Sequence, residues 1–317
     1  MSAEGATLPR ADWDSYYGRP VLKAPVWKPE IPFYFFTGGV GGASAMLALL
    51  AEARGNDELA RRAWLCALAG VGASPALLIS DLGKPSRFLN MLRVFKVTSP
   101  MSVGSWLLSA SGLATAVAAA DAWTPFVPAP AGRVARVTAA VCGMPLTTYT
   151  AALIANTAVP VWHEARRTLP FVFAASGATS AGAAAVLATP PRAAAPARRL
   201  AVGGAVATAA TMELMRHRLG DLGEPYGEGA SGTLKRAAMP LSVTGAGLVA
   251  GLGRRRPAAI AGGALLLGGA ICERWSIFRA GFQSAADPKY TVGPQRARVT
   301  AGARRGASRA AGVANPG

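Results

Sequence analysis

The chain has 317 residues, of which 51% are hydrophobic and 15% charged, and it carries a net charge of +17. Soluble domains carry about 25% charged residues, so this composition excludes an ordinary soluble globular protein. The charge does not mark a nucleic-acid-binding domain either, because the positive residues lie between long apolar blocks and in a C-terminal tail.

Residues 1–31 are polar, with Trp13, Tyr16, Tyr17 and Trp27 set among prolines and charges. They lack the short apolar core of a signal peptide, so the first apolar block is expected to be a true membrane span. The segment reads either as an interfacial anchor, since Trp and Tyr favour the membrane boundary, or as a strap that docks a partner. Eight apolar blocks follow, at 32–53, 61–80, 102–120, 137–160, 169–189, 198–219, 237–253 and 257–277. About 20 mostly apolar residues form a spanning helix, so the pattern predicts an all-α membrane protein of about eight transmembrane helices.

Ala and Gly dominate these blocks and allow close helix approach in lipid. Gly38 and Gly42 form a GxxxG pair in the first block, beside Gly39, Gly41 and Ser44; ordinary helix packing explains them more simply than a nearby cofactor does. Cys66, Cys142 and Cys272 lie in three different blocks with no CxxC pair, so no thiolate iron–sulfur or zinc site is readable. Residues 291–317 hold five arginines and no acidic residue, the composition of a disordered basic tail attracted to anionic lipid headgroups.

The chain also resembles itself. IPFYFFTGGVGGASA at 31–45 matches LPFVFAASGATSAGA at 169–183 in six of 15 positions, an offset of 138. DLGKP at 81–85 and DLGEP at 221–225, then PMSV at 100–103 and PLSV at 240–243, follow at an offset of 140. Each half holds four helices, and an even number returns the chain to its starting side, so the halves are expected to be parallel repeats related by an axis along the membrane normal. This divides the chain into a polar segment 1–31, a four-helix bundle over 32–168, a second over 169–278, and a tail over 279–317. The basic loop with Arg87, Asn90, Arg93 and Lys96 occurs in the first half alone, which points to a site there.

Lys and Arg number 21 on the side of the N-terminus and 11 on the other. The positive-inside rule therefore expects both termini and both DLG loops in the cytoplasm.

Ionisable groups within spans are functional candidates because they are costly there. Glu213 and His217 stand four residues apart on one helix face and form a candidate proton relay, or else Glu213 is neutralised by Arg216 or His217. Asp81 ends the second block, where it either holds a ligand or closes the turn at Leu82 and Gly83. Glu273 and Arg274 read as an ion pair at the membrane edge. Tyr149 lies within the fourth block, and a buried phenol needs a partner, either a ligand carbonyl such as that of a quinone or a neighbouring helix. Tyr34, on the same membrane face as Asp81, reads as a belt or a pocket residue. His163 and His217 both fall at block ends, so no haem is expected, and no metal.

The segments IPFYFFTGGVGGASA, DLGKPSRFLNMLRVFKVTSPMSVGSW and YTAALIANTAVPVWHEARRTLPFVFAASG, with ADPKY and GPQR after the last block, resemble the NrfD-like membrane-subunit family of polysulfide reductase over roughly residues 30–295. The resemblance implies two four-helix bundles without a redox centre of their own. It implies binding of a quinone, usually menaquinone, near one membrane face, and electron exchange with a ferredoxin-like iron–sulfur subunit, often completed by a molybdopterin subunit. Tyr149 resembles the family's helix-four tyrosine near the quinone head, and Asp81 and Arg87 resemble the motif bordering the pocket. In several members the docking face is periplasmic, whereas the charge count here expects a cytoplasmic partner. Helix one lacks the histidine that some members place there.

The expected function is thus a quinone-reactive anchor of an oxidoreductase complex in a bacterial inner membrane. Tyr34, Asp81, Arg87, Ser102, Ser105 and Tyr149 surround the quinone in this reading, and Glu213 and His217 serve protons. The alternative is a small-molecule or proton transporter built from two repeats.

Overall fold

The computed structural model describes residues 22–82 and 84–295. Trp13, Tyr16 and Tyr17 and most of the basic tail lie outside the described residues. Eight helices of 20 or more residues occur among the described residues: α1 Glu30–Glu52, α2 Asp57–Asp81, α3 Pro100–Trp123, α4 Ala129–Ala155, α5 Leu169–Ala188, α6 Ala195–Leu219, α7 Gly229–Leu252 and α8 Arg256–Ala286. The first five are long and apolar enough to cross a membrane. Apolar side chains point outward along the helices, with Leu113 72% and Val206 65% exposed, an arrangement suited to lipid instead of water.

Local chemistry sets the helix ends. Gly55 takes a positive φ of 68°, which a side chain would resist, and this lets α1 turn back into α2. The next residue, Asn56, caps α2 by accepting the Leu59 N–H at 3.2 Å. Its amide also donates to the Ala193 carbonyl at 2.9 Å, tying the α1–α2 turn to the α5–α6 turn. Ser99 caps α3 by accepting the Ser102 N–H, with Pro100 in the first turn.

α1 is the hub, and its glycines face three neighbours. A side chain on Gly41 would strike Gly70 and Val71 of α2, one on Gly42 would strike the Gly143 carbonyl of α4, and one on Gly39 would meet Gly177 of α5. Gly38 faces open space. The glycine run is therefore a packing device, as the simpler reading expects.

Residues separated by 138 positions touch each other across the α1–α5 contact. The rings of Phe35 and Phe173 lie 5.7 Å apart, and Gly39 abuts Gly177. Two such pairs in register require α1 and α5 to run parallel. The Gly41–Gly70 crossing of α1 on α2 also has its counterpart at the same offset, where Thr179 and Thr208 share a hydroxyl contact of 3.4 Å between α5 and α6. The third sequence match does not carry over. Pro100 starts α3, whereas Pro240 lies inside α7, because the connection before α7 is shorter.

Two faces result. One, the strap face, carries residues 22–29, the 84–99 loop and the short helix Pro160–Glu164. The opposite face is closed over the first half by Glu52, which accepts from Trp64 Nε1 at 2.7 Å and pairs with Arg136 at 3.3 Å; Arg136 also reaches Asp121 at 2.6 Å.

Candidate functional site

Tyr34 stands one turn into α1 and Tyr149 fewer than two turns before the end of α4, so both lie about 6–9 Å inside the strap-face helix ends at 1.5 Å per residue. Their hydroxyl oxygens are 2.7 Å apart. Tyr34 is fully buried, and Tyr149 is partly exposed. The edge of one ring meets the other at 6.4 Å between centroids. The α3 wall at this point is glycine by necessity, since a Cβ on Gly104 would collide with the Tyr149 ring. Next to it, Ser105 is buried and donates to the Met101 carbonyl at 2.9 Å.

Below Tyr34, Thr37 and Ser74 share a hydroxyl contact of 2.9 Å, and Ser74 donates to the Gly70 carbonyl at 2.8 Å. The site is thus a hydroxyl cluster drawn from α1, α2, α3 and α4. Two phenols sharing one hydrogen bond use one of their two protons; the other remains for an acceptor. Either phenol can donate in the shared bond; when Tyr34 donates, the proton of the less buried Tyr149 is the one left for an acceptor.

The other residues singled out in the sequence occupy different roles. Asp81 accepts the Lys28 N–H at 3.0 Å and so anchors the strap; Gly83, part of the turn expected at this residue, lies outside the described residues. Lys28 Nζ reaches the Ser80 carbonyl, and Trp27 stacks on Trp162 at 5.6 Å. Trp162 in turn donates to the Ile277 carbonyl at 2.8 Å. Arg87 lies in an exposed 3-10 turn, Pro85–Arg87. The Ser102 hydroxyl is committed to the loop, donating to the Val94 carbonyl at 2.9 Å and accepting the Lys96 N–H at 3.0 Å. Around it Leu89, Val94, Phe95 and Val97 are exposed on the strap face.

Glu213 and His217 are exposed on the outside of α6, and Glu213 pairs with Arg216 at 2.8 Å. They do not line an interior path. Glu273 and Arg274 lie within α8. α8 continues well beyond them to Ala286, which leaves both buried where α1, α5 and α8 meet. Arg274 donates to the Phe173 carbonyl at 3.0 Å and lies over the Phe173 ring at 3.7 Å.

Gly104, Thr37 and Ser74 escaped the sequence reading. Gly104 sits beside Ser105 in a run of small residues, and only the three-dimensional contact separates it from the rest.

Beyond the spans, the Glu224 carboxylate accepts from Lys289 Nζ at 2.6 Å and from the Tyr290 hydroxyl at 3.0 Å. These bonds hold Glu224 below the ordinary carboxylate range and Lys289 above that of a free lysine.

The helices and outward apolar surface define a multi-pass helical membrane protein with a buried hydroxyl cluster near one face. The sequence model of the family described as Polysulphide reductase, NrfD, matches residues 21–211, and the chain belongs to that family. The match takes in Tyr34, Gly104 and Tyr149 and ends within α6, before Glu213. A search among curated proteins returns no match.

Proposed function

We propose that this protein is the quinone-reactive membrane subunit of a multi-subunit oxidoreductase. It exchanges electrons between a membrane quinone, with menaquinone the expected form, and an iron–sulfur partner. The single observation that carries the reading is the Tyr34–Tyr149 pair. A quinone carbonyl is an acceptor without a proton of its own, and the unshared phenol proton of Tyr149 fits it. Bound quinone supplies the two-electron redox chemistry, and the protein supplies position and electrostatics. Tyr34 fixes the Tyr149 ring and hydroxyl, Gly104 allows the ring its place, and Ser105 offers an acceptor oxygen on the same wall.

The strap face also suits a partner. Its 84–99 loop combines Arg87, Arg93 and Lys96 with exposed Leu89, Phe95 and Val97, and arginine and aromatic side chains are enriched at interfaces. An iron–sulfur subunit there, completed by a molybdopterin subunit, accounts for a membrane chain with no readable redox centre. In this reading all eight long helices cross a bacterial inner membrane as two parallel four-helix bundles. The Phe35–Phe173 and Gly39–Gly177 contacts support that arrangement, and the Lys and Arg count favours a cytoplasmic strap face. The transporter reading loses support because Glu213 and His217 face outward.

Purification from the native membrane in mild detergent, with identification of co-purifying subunits and extractable quinone, tests the assignment. An iron–sulfur subunit and stoichiometric quinone are expected. A solitary chain that takes up no added quinone overturns the assignment.

A further inference from the structure

On the face opposite the strap, α1, α4, α5 and α6 leave a cleft of about 640 Å³, within the range of about 300–1,000 Å³ typical of small-ligand sites. Met46, Leu50, Met144 and Leu200 line it, and Arg54, Arg199 and Asn56 stand at its polar end. Neither guanidinium makes an ion pair or side-chain hydrogen bond among the described residues. The carboxylates of that face are mostly engaged elsewhere: Glu52 and Asp121 pair with Arg136, and Glu58 pairs with Arg192. Asp57 remains, in the first turn of α2, where the helix dipole favours it. A further cation, Arg198, lies close to both Arg199 and Arg254. The cleft thus presents unneutralised positive charge above an apolar trough.

Its depth matches one membrane leaflet. From Ala43 to Arg54 is 11 residues, or about 16 Å at 1.5 Å per residue, close to half of a hydrocarbon core of about 30 Å. One leaflet's acyl chain has that length, and its headgroup would lie level with the two arginines.

We infer that this cleft is a specific site for one anionic phospholipid of the leaflet opposite the strap face, with Arg54 and Arg199 holding the phosphate and the trough holding an acyl chain. It is separate from the tyrosine cluster and stands or falls independently of the quinone reading.

The test is native mass spectrometry of the full chain released from nanodiscs of phosphatidylcholine with or without phosphatidylglycerol. Wild type should keep one phosphatidylglycerol through delipidation that strips phosphatidylcholine, with at least a tenfold preference. Arg54→Ala with Arg199→Ala should abolish the preference, while Arg54→Lys with Arg199→Lys should keep most of it. Leu50→Trp, which fills the trough and leaves both arginines, should also lower retention and covers the case in which the double alanine variant fails to fold. Equal retention of both lipids by wild type would overturn the inference. So would undiminished phosphatidylglycerol in the folded alanine or Trp variants, full displacement of the lipid by millimolar inorganic phosphate, or a second copy of the chain in place of lipid.

Discussion

Replacing Tyr149 by Phe separates the two roles of the tyrosine pair. The substitution removes the donor that faces a ligand and leaves the fully buried Tyr34 hydroxyl without its partner at 2.7 Å. A neutral hydrogen bond contributes about 0.5–1.5 kcal/mol net, so quinone affinity should fall roughly 2- to 12-fold at about 1.4 kcal/mol per factor of ten. An orphaned buried hydroxyl costs about 1–3 kcal/mol, so the single variant should also lose stability. Adding Tyr34→Phe removes the orphan. The double variant should recover most of the stability and none of the affinity. Thermal unfolding in detergent and calorimetric titration with a short-chain menaquinone analogue read the two quantities separately. Unchanged affinity in Tyr149→Phe, or affinity that returns with stability in the double variant, would refute the reasoning.

The remaining predictions concern packing, the strap and pH. Gly42→Ala should destabilise by about 1–3 kcal/mol, since the new methyl meets the Gly143 backbone, whereas Gly38→Ala, facing open space, should gain about 0.5–1 kcal/mol of helix propensity; thermal unfolding ranks the two. Asp81→Ala frees the Lys28 backbone, so trypsin should cut after Lys23 several-fold faster while α1 to α8 stay protected. The depressed Glu224 group contributes stability that is present above the unfolded carboxyl value of about 4.3 and is lost as pH falls through its lower folded value. The Lys289 contribution is present below the unfolded lysine value of about 10.4 and is lost only as pH rises through its higher folded value. Docking of residues 287–295 should therefore hold through neutral pH and loosen in acid, as read by hydrogen exchange, and Glu224→Gln should flatten the acid limb.

Much of the helical frame was legible because apolar block length reports on long helices: each of the eight blocks overlaps one long helix, and five of these are long and apolar enough to cross a membrane. The ends were less legible where charges belong to helices. α4 starts at Ala129 and not near 137, since Arg133 and Arg136 read as loop residues while Arg136 in fact joins Glu52 and Asp121 across helices. α8 outruns its block for a similar reason, carrying Arg279 on to Ala286. That continuation moves Glu273 and Arg274 from an expected edge into the interior. In the site, Tyr149 stood out as a phenol in an apolar run, but its pairing with Tyr34, 115 residues away, depends on the α1–α4 crossing. Spacing along the chain does not encode that crossing. Ser102 looked like a ligand hydroxyl because nothing in sequence reveals that the 84–99 loop folds back to use it.

Photolabelling with an azido-menaquinone, followed by peptide mapping, tests the central claim most directly. Label is expected on the strap-face ends of α1, α3 and α4 around Tyr34, Gly104 and Tyr149, competed by unmodified quinone and lowered in Tyr149→Phe. Label confined to the opposite-face cleft beside Arg54 and Arg199, or spread without competition over the outer helix surfaces, would contradict it.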